Sequence, residues 1–375
     1  MYVGPDTVVW EHPEWPNFRY DRDVIEPMVE SSVAKNQAFL QNIDRKYGIK
    51  TQDEVMLSST TNEIMHSSQI EGVSLTYKDV LDRVSRSLGL NFMKGFGGYE
   101  EKSKPQDVVD IIVDAHMNHG DPLTEERLKG WHRKLFPGGS MVSGIQKIEV
   151  GRLRRGSMTI VSGRYEEFIE YNAPPAERVP GMVSDFLDWF NSKNSYWSSW
   201  LLNGAEAHLR FVLIHPFDDG NGRISRTISV MSLARMNNSR NCFYPMSEQF
   251  CSRRSEYYKA LSSTQNDAMD MTEWLKYYLA SFDRSIDALE HRFKALEAVA
   301  DFWNLLRSLD LSDAERGFIN DLLNDVILYP KRSLQNVTVK SIGKRMKVPD
   351  PEKEYEKLRS MGLDAAVREF HSRKI

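Results

Sequence analysis

A stretch of twelve residues, HPFDDGNGRISR from His215 to Arg226, separates two runs of helical periodicity and constrains the fold more than any other feature. Apolar residues recur at helical spacing up to Ile214, and Pro216 predicts that this helix ends near His215. A second helical pattern begins at Arg223. The pattern predicts two helices joined by a short turn within a mainly α-helical chain.

The turn between these helices has the composition of an anion-binding site. Gly220, Asn221 and Gly222 tolerate unusual backbone angles and let a ligand approach the backbone amides closely. The first turn of a helix has unpaired N–H groups and a partial positive charge, so it normally prefers acidic side chains. This turn carries Arg223 and Arg226 instead, which favours the binding of a polyanion such as a phosphate.

Two other side chains of the stretch fit the same chemistry. Asp219 could hold a divalent ion that bridges phosphate oxygens. His215 has an unperturbed pKa near neutrality and could take a proton from an incoming hydroxyl. Taken singly, a histidine at a helix end, a Gly-x-Gly turn and helical arginines are usually structural, but their occurrence together favours a site.

The stretch resembles, without a gap, the Fic-domain signature His-x-Phe-x-Asp/Glu-Gly-Asn-Gly-Arg-x-x-Arg. The resemblance implies transfer of AMP from ATP to a hydroxyl side chain of a target protein, which is what most Fic proteins do. It makes His215 the general base, Phe217 the apolar anchor of the loop and Asp219 the ligand of Mg²⁺. Phosphoryl-group chemistry of this kind depends on positioning and charge neutralisation.

The same resemblance assigns the phosphate contacts. Gly220, Asn221 and Gly222 match the anion hole of the family, with the Asn221 side chain near the α-phosphate. Arg223 and Arg226 match the residues that hold the outer phosphates.

A short β-prone run, Met158, Thr159, Ile160 and Val161, lies upstream between glycines and predicts a surface hairpin. Fic proteins have a β-hairpin flap over the nucleotide at this place, so the resemblance implies adenine contacts from these four residues. An exposed strand edge could also align a target segment by main-chain pairing.

A helical pattern after the motif resembles the helix that follows it in Fic proteins. By that resemblance Tyr257, Tyr258 and Gln265 lie near the base or ribose of the nucleotide. Adjacent residues on a helix face different ways, so one tyrosine is expected in the core.

A second motif occupies Ser67 to Gly72. Gly72 is a plausible helix stop, which puts Glu71 in the last helical turn, where the helix dipole disfavours a carboxylate. Alternatively, Ser68 and Glu71 form the capping box of a new helix. The segment also resembles the inhibitory signature Ser/Thr-x-x-x-Glu-Gly/Asn of Fic proteins. The resemblance implies that Glu71 pairs with Arg226 and excludes the γ-phosphate, as in the self-inhibited class with an N-terminal inhibitory helix.

The expected fold class is mainly α, with a Fic-type helical core, a β-hairpin flap, an N-terminal helical extension and a small C-terminal winged-helix-like domain. We expect an N-terminal aromatic arm and helices with the inhibitory motif at 1–95, a catalytic domain at 106–285 and the C-terminal module at 300–375. A loop rich in glycine and lysine at 91–105 marks the first boundary.

The overall composition excludes several classes of protein. With 49 Lys and Arg against 53 Asp and Glu, the formal net charge is −4, and no global nucleic-acid signal appears. Cys242 and Cys251 have neither zinc-site spacing nor a disulfide framework. The sequence shows no signal-peptide pattern and no apolar run of about eighteen residues, so we expect a soluble cytoplasmic protein.

Three alternatives stay open at this point. Residues 331–347 contain six basic residues and no acidic one, which is typical of a solvated face but would also suit a DNA-binding regulator or a homodimer contact. DNA binding that weakens steeply with salt and depends on Lys344 and Arg345 would identify the regulator. The same catalytic site could run in reverse, with Glu71 orienting a water that removes AMP. The anion hole would also suit UTP, GTP or a phosphocholine donor.

Overall fold

The computed structural model describes residues 8–90, 106–137, 141–142, 146–162, 169–192, 197–237, 244–265, 269–307, 309–328 and 349–361. The chain divides into two compact units, Met1–Ile286 and Asp287–Ile375. Within the described ranges, no helix combines the length and the apolar character that a membrane span requires.

Most described residues are helical, which confirms the mainly α fold class. The helices are α1 (Arg22–Lys46), α2 (Ile49–Ile70), α3 (Tyr77–Ser87), α4 (Gln106–Met117), α5 (Glu125–Leu135), α6 (Val179–Ser192), α7 (Trp197–Ile214), α8 (Asn221–Asn237), α9 (Met246–Ser252), α10 (Arg254–Ser262), α11 (Thr272–Leu305), α12 (Asp313–Leu328) and α13 (Pro351–Ser360). A 3₁₀ turn at Val9–Glu11 precedes them.

Several helix ends follow from local sequence. Asp21 caps α1 by accepting hydrogen bonds from the backbone amides of Asp23 and Val24. Thr124 caps α5 by accepting from the amide of Arg127 at 3.1 Å. Gly72 follows the end of α2 with a φ of 77°, a value that favours glycine.

The core of the first unit is centred on α7 and α8, whose mutual contact is the most extensive between two helices. Helix α8 is buried on all sides, with Ile224, Ile228 and Met231 fully inaccessible to solvent. A helix surrounded in this way needs no polar face, so it shows little amphipathic pattern. The turn between α7 and α8 is therefore held by two buried elements.

The described part of the first unit also contains two short hairpins. Strands β1 (Met141–Val142) and β2 (Gln146–Lys147) form one antiparallel pair. Strands β3 (Thr159–Ser162) and β4 (Ile169–Asn172) form the other, with Thr159 opposite Asn172 and Ser162 opposite Ile169. This second hairpin confirms the predicted flap.

The second unit has its own apolar cluster. Helices α11, α12 and α13 contribute Phe302, Phe318, Ile319 and Leu358, each almost completely buried. The basic run at 331–347, the loop at 91–105 and Cys242 lie outside the described residues.

The buried character of α8 leads to a stability prediction. Replacing Ile228, which is fully buried, with alanine should lower the free energy of unfolding by about 2–5 kcal/mol, because it leaves a cavity in the core. Ile49→Ala, at a side chain that is 76% exposed, should change it by no more than about 0.5 kcal/mol. Denaturant unfolding of both variants compares the two sites; equal losses would contradict the packing described.

Candidate active site

The turn from α7 to α8 has a fixed backbone path. His215 follows the last residue of α7 with a φ of 48°, and Gly220 precedes α8 with a φ of 81°. The Asn221 side chain braces the loop, since its Oδ1 accepts from the amide of Phe217 at 2.9 Å and its Nδ2 donates to the Phe217 carbonyl at 2.8 Å. Both ends of the Asn221 amide are thus hydrogen-bonded to the Phe217 backbone, and the predicted contact with the α-phosphate stays a prediction.

Phe217 anchors the loop in the core. Its side chain is completely buried and stacks on His132 of α5 at 4.3 Å between ring centroids. The Nδ1 atom of His132 accepts a hydrogen bond from the Gly151 amide at 2.9 Å. A Cβ at Gly220 would lie 2.9 Å from the Phe136 ring, so this position requires glycine for space as well as for φ.

His215 is half-buried and has one free ring nitrogen. Its Nδ1 lies 3.2 Å from the Val212 carbonyl oxygen, which can only accept. Nδ1 therefore carries the proton, and Nε2 keeps its lone pair. Desolvation lowers the pKa of His215 to about 4, with the Arg154 charge acting in the same direction and the Val212 bond and Glu71 opposing it. The imidazole is neutral at pH 7 and can accept a proton.

Arg223 and Arg226 both lie in the first turns of α8 and are almost completely buried. The Arg223 guanidinium lies 4.9 Å from the centroid of the Phe136 ring and 3.5 Å from Asp219 Oδ1. Arg226 donates from Nε to Ser67 Oγ and from Nη2 to the Ser67 carbonyl, both at 3.0 Å. Helix α2 therefore supplies direct partners to the second arginine of the motif.

Glu71 completes this contact. Its Oε1 accepts from Arg226 Nη2 at 2.7 Å, and the carboxylate lies over Gly222, where a Cβ would collide with it. Burial raises the pKa of Glu71, but the charges of Arg226, Arg223 and Arg254 and the Arg226 hydrogen bond outweigh it, so the net shift is downward. The carboxylate is ionised beside the glycine turn.

The end of α2 settles the local alternative for this motif. The helix ends at Ile70, and Glu71 is its C-terminal cap residue, whose amide donates to the Ser68 carbonyl. Ser67, Glu71 and Gly72 thus lie at a helix end, and the alternative, a capping box of a new helix at Ser68, is not formed.

Glu63 lies two turns before Glu71 on α2 and is completely buried. Its carboxylate accepts from the Ser247 amide at 2.7 Å and from the Ser247 hydroxyl, both on α9. Burial raises the pKa of Glu63 to about 7, although the Ser247 bonds and the Arg226 charge oppose the shift. This residue ties the helix that carries Glu71 to the core.

The two tyrosines of α10 have different surroundings. Tyr257 is buried, with its hydroxyl 2.8 Å from His208 Nε2 and its ring stacked on Phe250. Tyr258 is half-buried, and the Arg254 guanidinium lies 5.6 Å from its ring centroid. Burial, followed by the nearby Glu71 charge, raises the pKa of Tyr258. Of the pair, Tyr257 is the tyrosine that lies in the core, and a nucleotide contact of Tyr258 stays a prediction.

The other predicted nucleotide contacts lie on the hairpin and after α10. The Met158 carbonyl accepts from the Ala173 amide, and Thr159 Oγ1 donates to Asn172 Oδ1 at 2.8 Å. Ile160 pairs with Tyr171 and Val161 with Glu170 in the strand register. Gln265 is half-buried, and its backbone carbonyl accepts a hydrogen bond from the Val9 amide. The adenine contacts of these residues stay predictions.

The donor set fits a divalent cation held together with phosphates. Asp219 has a half-exposed carboxylate at the start of the glycine turn. Within the described ranges, no group of three or more His, Cys, Asp or Glu side chains could hold a metal. A cation of the Mg²⁺ type is usually bound by one or two carboxylates and substrate phosphates, so Asp219 alone is compatible with it.

Three positions that contact or flank the turn were not singled out from the sequence. Arg154 donates to the His215 carbonyl, and His132 stacks on Phe217. Glu63 lies close enough to Arg226 for the Arg226 charge to lower its pKa. In the sequence, Arg154 is one of several basic residues in a loop, whereas His132 and Glu63 lie on ordinary helical patterns. No sequence signal set Glu63 apart, because the residues three and four positions away on its helix, Ser59, Thr60, His66 and Ser67, are polar.

Comparison with known proteins agrees with this site. The model described as Fic/DOC family matches residues 122–233, and a domain of unknown function, DUF4172, matches residues 8–90. The chain is 28% identical over 178 residues to the protein adenylyltransferase Fic of Nematostella vectensis, covering 46% of this chain and 40% of that protein. It is 24% identical over 274 residues to the protein of the same name in Aedes aegypti, covering 71% and 45%. The chain thus spans less than half the length of these relatives.

Solved structures show the same fold. A Fic family protein from Desulfovibrio desulfuricans aligns with a TM-score of 0.51 at 20% identity, covering 90% of each chain. Fic-1 from C. elegans aligns with a TM-score of 0.50 at 18% identity, covering 72% of this chain and 73% of the other. At these identities the similarity concerns the fold.

The buried carboxyl of Glu63 leads to a pH prediction. Its pKa is about 7 in the folded chain against 4.5 ordinarily, so the folded state binds this proton more tightly. The resulting stabilisation is complete below pH 4.5 and is lost as the pH rises through 7. Glu63→Gln removes this dependence, so at pH 8 the variant should be more stable than the native chain by about 3 kcal/mol, and the difference should vanish towards pH 4.5.

Thermal or urea unfolding between pH 5 and pH 8 measures the difference. Glu273→Gln, at a side chain that is 65% exposed, serves as the control and should follow the native pH dependence. A difference between Glu63→Gln and the native chain that is independent of pH would refute the raised pKa.

Proposed function

From the match of residues 122–233 to the Fic/DOC family, we propose that the chain is a protein adenylyltransferase. This nucleotidyltransferase moves AMP from Mg-ATP to a Ser, Thr or Tyr hydroxyl of a target protein and of itself. Relatives called protein adenylyltransferase Fic support the reaction class. The observation that carries the proposal is the turn at 215–226, which brings together a neutral imidazole with a free nitrogen, a glycine turn at a helix N-terminus and two buried arginines.

His215 supplies the base for this reaction. Its Nε2 takes the proton of the target hydroxyl as the hydroxyl oxygen attacks the α-phosphorus of ATP. The new phosphorus–oxygen bond forms while the bond to the bridging oxygen of the β-phosphate breaks, and pyrophosphate leaves with that electron pair. The proton then passes from His215 to solvent.

The start of α8 supplies the electrostatic part. Amides of the Gly220–Gly222 turn and the positive end of the helix stabilise negative charge on the α-phosphate. Arg223 and Arg226 hold the outer phosphates through charge-assisted hydrogen bonds. Asp219 would hold Mg²⁺, which neutralises phosphate charge when bound.

Glu71 restrains the transfer in this proposal. It already occupies Arg226 Nη2 at 2.7 Å and lies over Gly222, the place that a terminal phosphate requires. An anion that competes for the same guanidinium meets the Glu71 charge as well as the occupied donor. Transfer therefore requires that Glu71 move away from Arg226.

A second candidate function uses the same residues in the opposite direction. Glu71 is ionised and close enough to His215 for its charge to raise the pKa of the imidazole. A water held between these groups could attack the phosphorus of an AMP-modified side chain while Glu71 takes its proton. The bond from phosphorus to the side-chain oxygen breaks, AMP is released, and that oxygen takes up a proton to restore the hydroxyl. In that deAMPylation Glu71 acts directly on the water and is no longer a restraint.

Intact-mass measurement after incubation with Mg-ATP tests the proposal. Glu71→Gly should gain the mass of one or more AMP groups about 5- to 150-fold faster than the native chain, because it removes the competitor for Arg226. Combining it with His215→Ala should slow the gain by about 10²- to 10⁴-fold through loss of the base.

The matched control is Gln69→Gly, which places a glycine at the same helix end but keeps the Glu71 carboxylate. It should leave the rate close to that of the native chain. If no variant gains mass and the native chain releases AMP from a modified protein, with Glu71→Gly inactive in that release, the transferase assignment fails and the reverse reaction stands.

A further inference from the structure

The loop before β3 contains three arginines with very different surroundings. Arg152 and Arg155 are exposed, and Arg155 forms an ion pair with Glu149 at 3.7 Å. Arg154 is only 2% exposed. A cation is rarely buried to this extent unless its donors have fixed partners. Arg154 is therefore expected to have a structural or functional role that Arg152 and Arg155 do not have.

Arg154 donates to backbone carbonyls from three chain segments. Nε donates to the His215 carbonyl at 2.8 Å, Nη1 to Gly156 at 2.9 Å, and Nη2 to Pro174 and, at 3.4 Å, to Ile214; its own amide donates to the Pro216 carbonyl at 2.9 Å. The planar guanidinium presents five donors in a fixed arrangement, which a lysine cannot reproduce. One side chain thereby joins both ends of the β3–β4 hairpin to the end of α7.

These bonds complete the last turn of α7. A helix leaves its final four carbonyls without partners inside the helix. At this end the Val212 carbonyl accepts from the His215 ring, and the Leu213 carbonyl accepts from the Tyr171 hydroxyl at 2.9 Å. Arg154 supplies the donors for the next two carbonyls, and a cation is favoured at the negative end of the helix dipole.

We infer that Arg154 is the positioning residue for His215, holding the backbone of the base in its left-handed conformation and so directing Nε2 to the place of reaction. A φ of 48° at a histidine is sparsely populated and persists only where neighbouring contacts hold it. The carbonyl of that same residue receives the 2.8 Å bond. An apolar side chain would fill the space but leave the carbonyls of Ile214 and His215 unsatisfied.

Arg154 also affects the proton affinity of His215. The positive charge of Arg154 lowers the pKa of the imidazole, and the negative charge of Glu71 raises it, so the two charges have opposite effects on the base. Loss of the Arg154 charge should therefore raise the pKa of His215. This effect distinguishes a positioning residue at the base from a side chain that only fills the core.

The experiment uses the full chain in the Glu71→Gly background, since the inference rests on the proposed transfer activity. Arg154→Gln should lower kcat about 10- to 100-fold with the KM for ATP within about twofold, because Arg223 and Arg226 are not in contact with it. Arg154→Lys keeps the positive charge but loses the planar arrangement of donors, so it should lower kcat by less than Arg154→Gln does. Arg155→Gln, at the exposed neighbour, should leave both constants unchanged.

NMR titration of the His215 ring provides a readout that does not need activity. The pKa of His215 should rise in Arg154→Gln and stay unchanged in Arg155→Gln, each compared with the parent that keeps both arginines. If the Glu71→Gly parent transfers no AMP, the proposed function fails, and the titration still tests whether the Arg154 side chain acts on the His215 ring.

Unchanged kcat and unchanged His215 titration in both Arg154 variants would overturn the inference. An equal loss in Arg155→Gln would do the same. If Arg154→Gln does not fold, as judged by loss of cooperative unfolding, Arg154→Lys decides alone by its kcat at constant KM. Unfolding of both variants would assign Arg154 to stability only and would also overturn the inference.

Discussion

At the junction of α7 and α8, the backbone amides and carbonyls at the ends of two buried helices need hydrogen-bond partners. The surrounding structure depends on which groups provide them. Backbone amides and carbonyls cannot be buried without partners at acceptable cost. The Asn221 amide braces the turn from inside, and the carbonyls at the end of α7 receive donors from Tyr171, Arg154 and the His215 ring. The geometry of the candidate base is thus a consequence of helix capping.

The same junction also determines where charge accumulates. Arg226 is brought into the core by α8 and meets the end of α2 through Ser67 and Glu71. Burial would lower the pKa of Arg226, but the Glu71 ion pair reverses the shift, and both side chains stay ionised. A buried pair of this kind is costly to separate, so a competing anion must replace what Glu71 provides. In the proposed function, regulation and phosphate binding therefore both involve the Arg226 guanidinium.

Glu63 and Arg154 illustrate how residues outside the motif maintain it. Glu63 holds α2 against α9 through Ser247, and Arg154 holds the hairpin against the end of α7. Both are ionisable groups in buried positions, where their hydrogen bonds fix orientation more than they add stability. The turn is consequently positioned by α2, α5 and the hairpin together, although its residues are contiguous in sequence.

The sequence by itself determined the parts of this protein that depend on neighbouring residues. The end of α7 near His215, the glycine turn, the start of α8, the Thr124 cap and the stop at Gly72 all follow from side chains within a few positions of one another. Only the tertiary structure decided that Tyr257 is in the core, that Asn221 faces backbone, and that Arg154 differs from Arg152 and Arg155. Their partners lie far away along the chain or are backbone carbonyls, which carry no signal in the sequence, so packing alone could distinguish them.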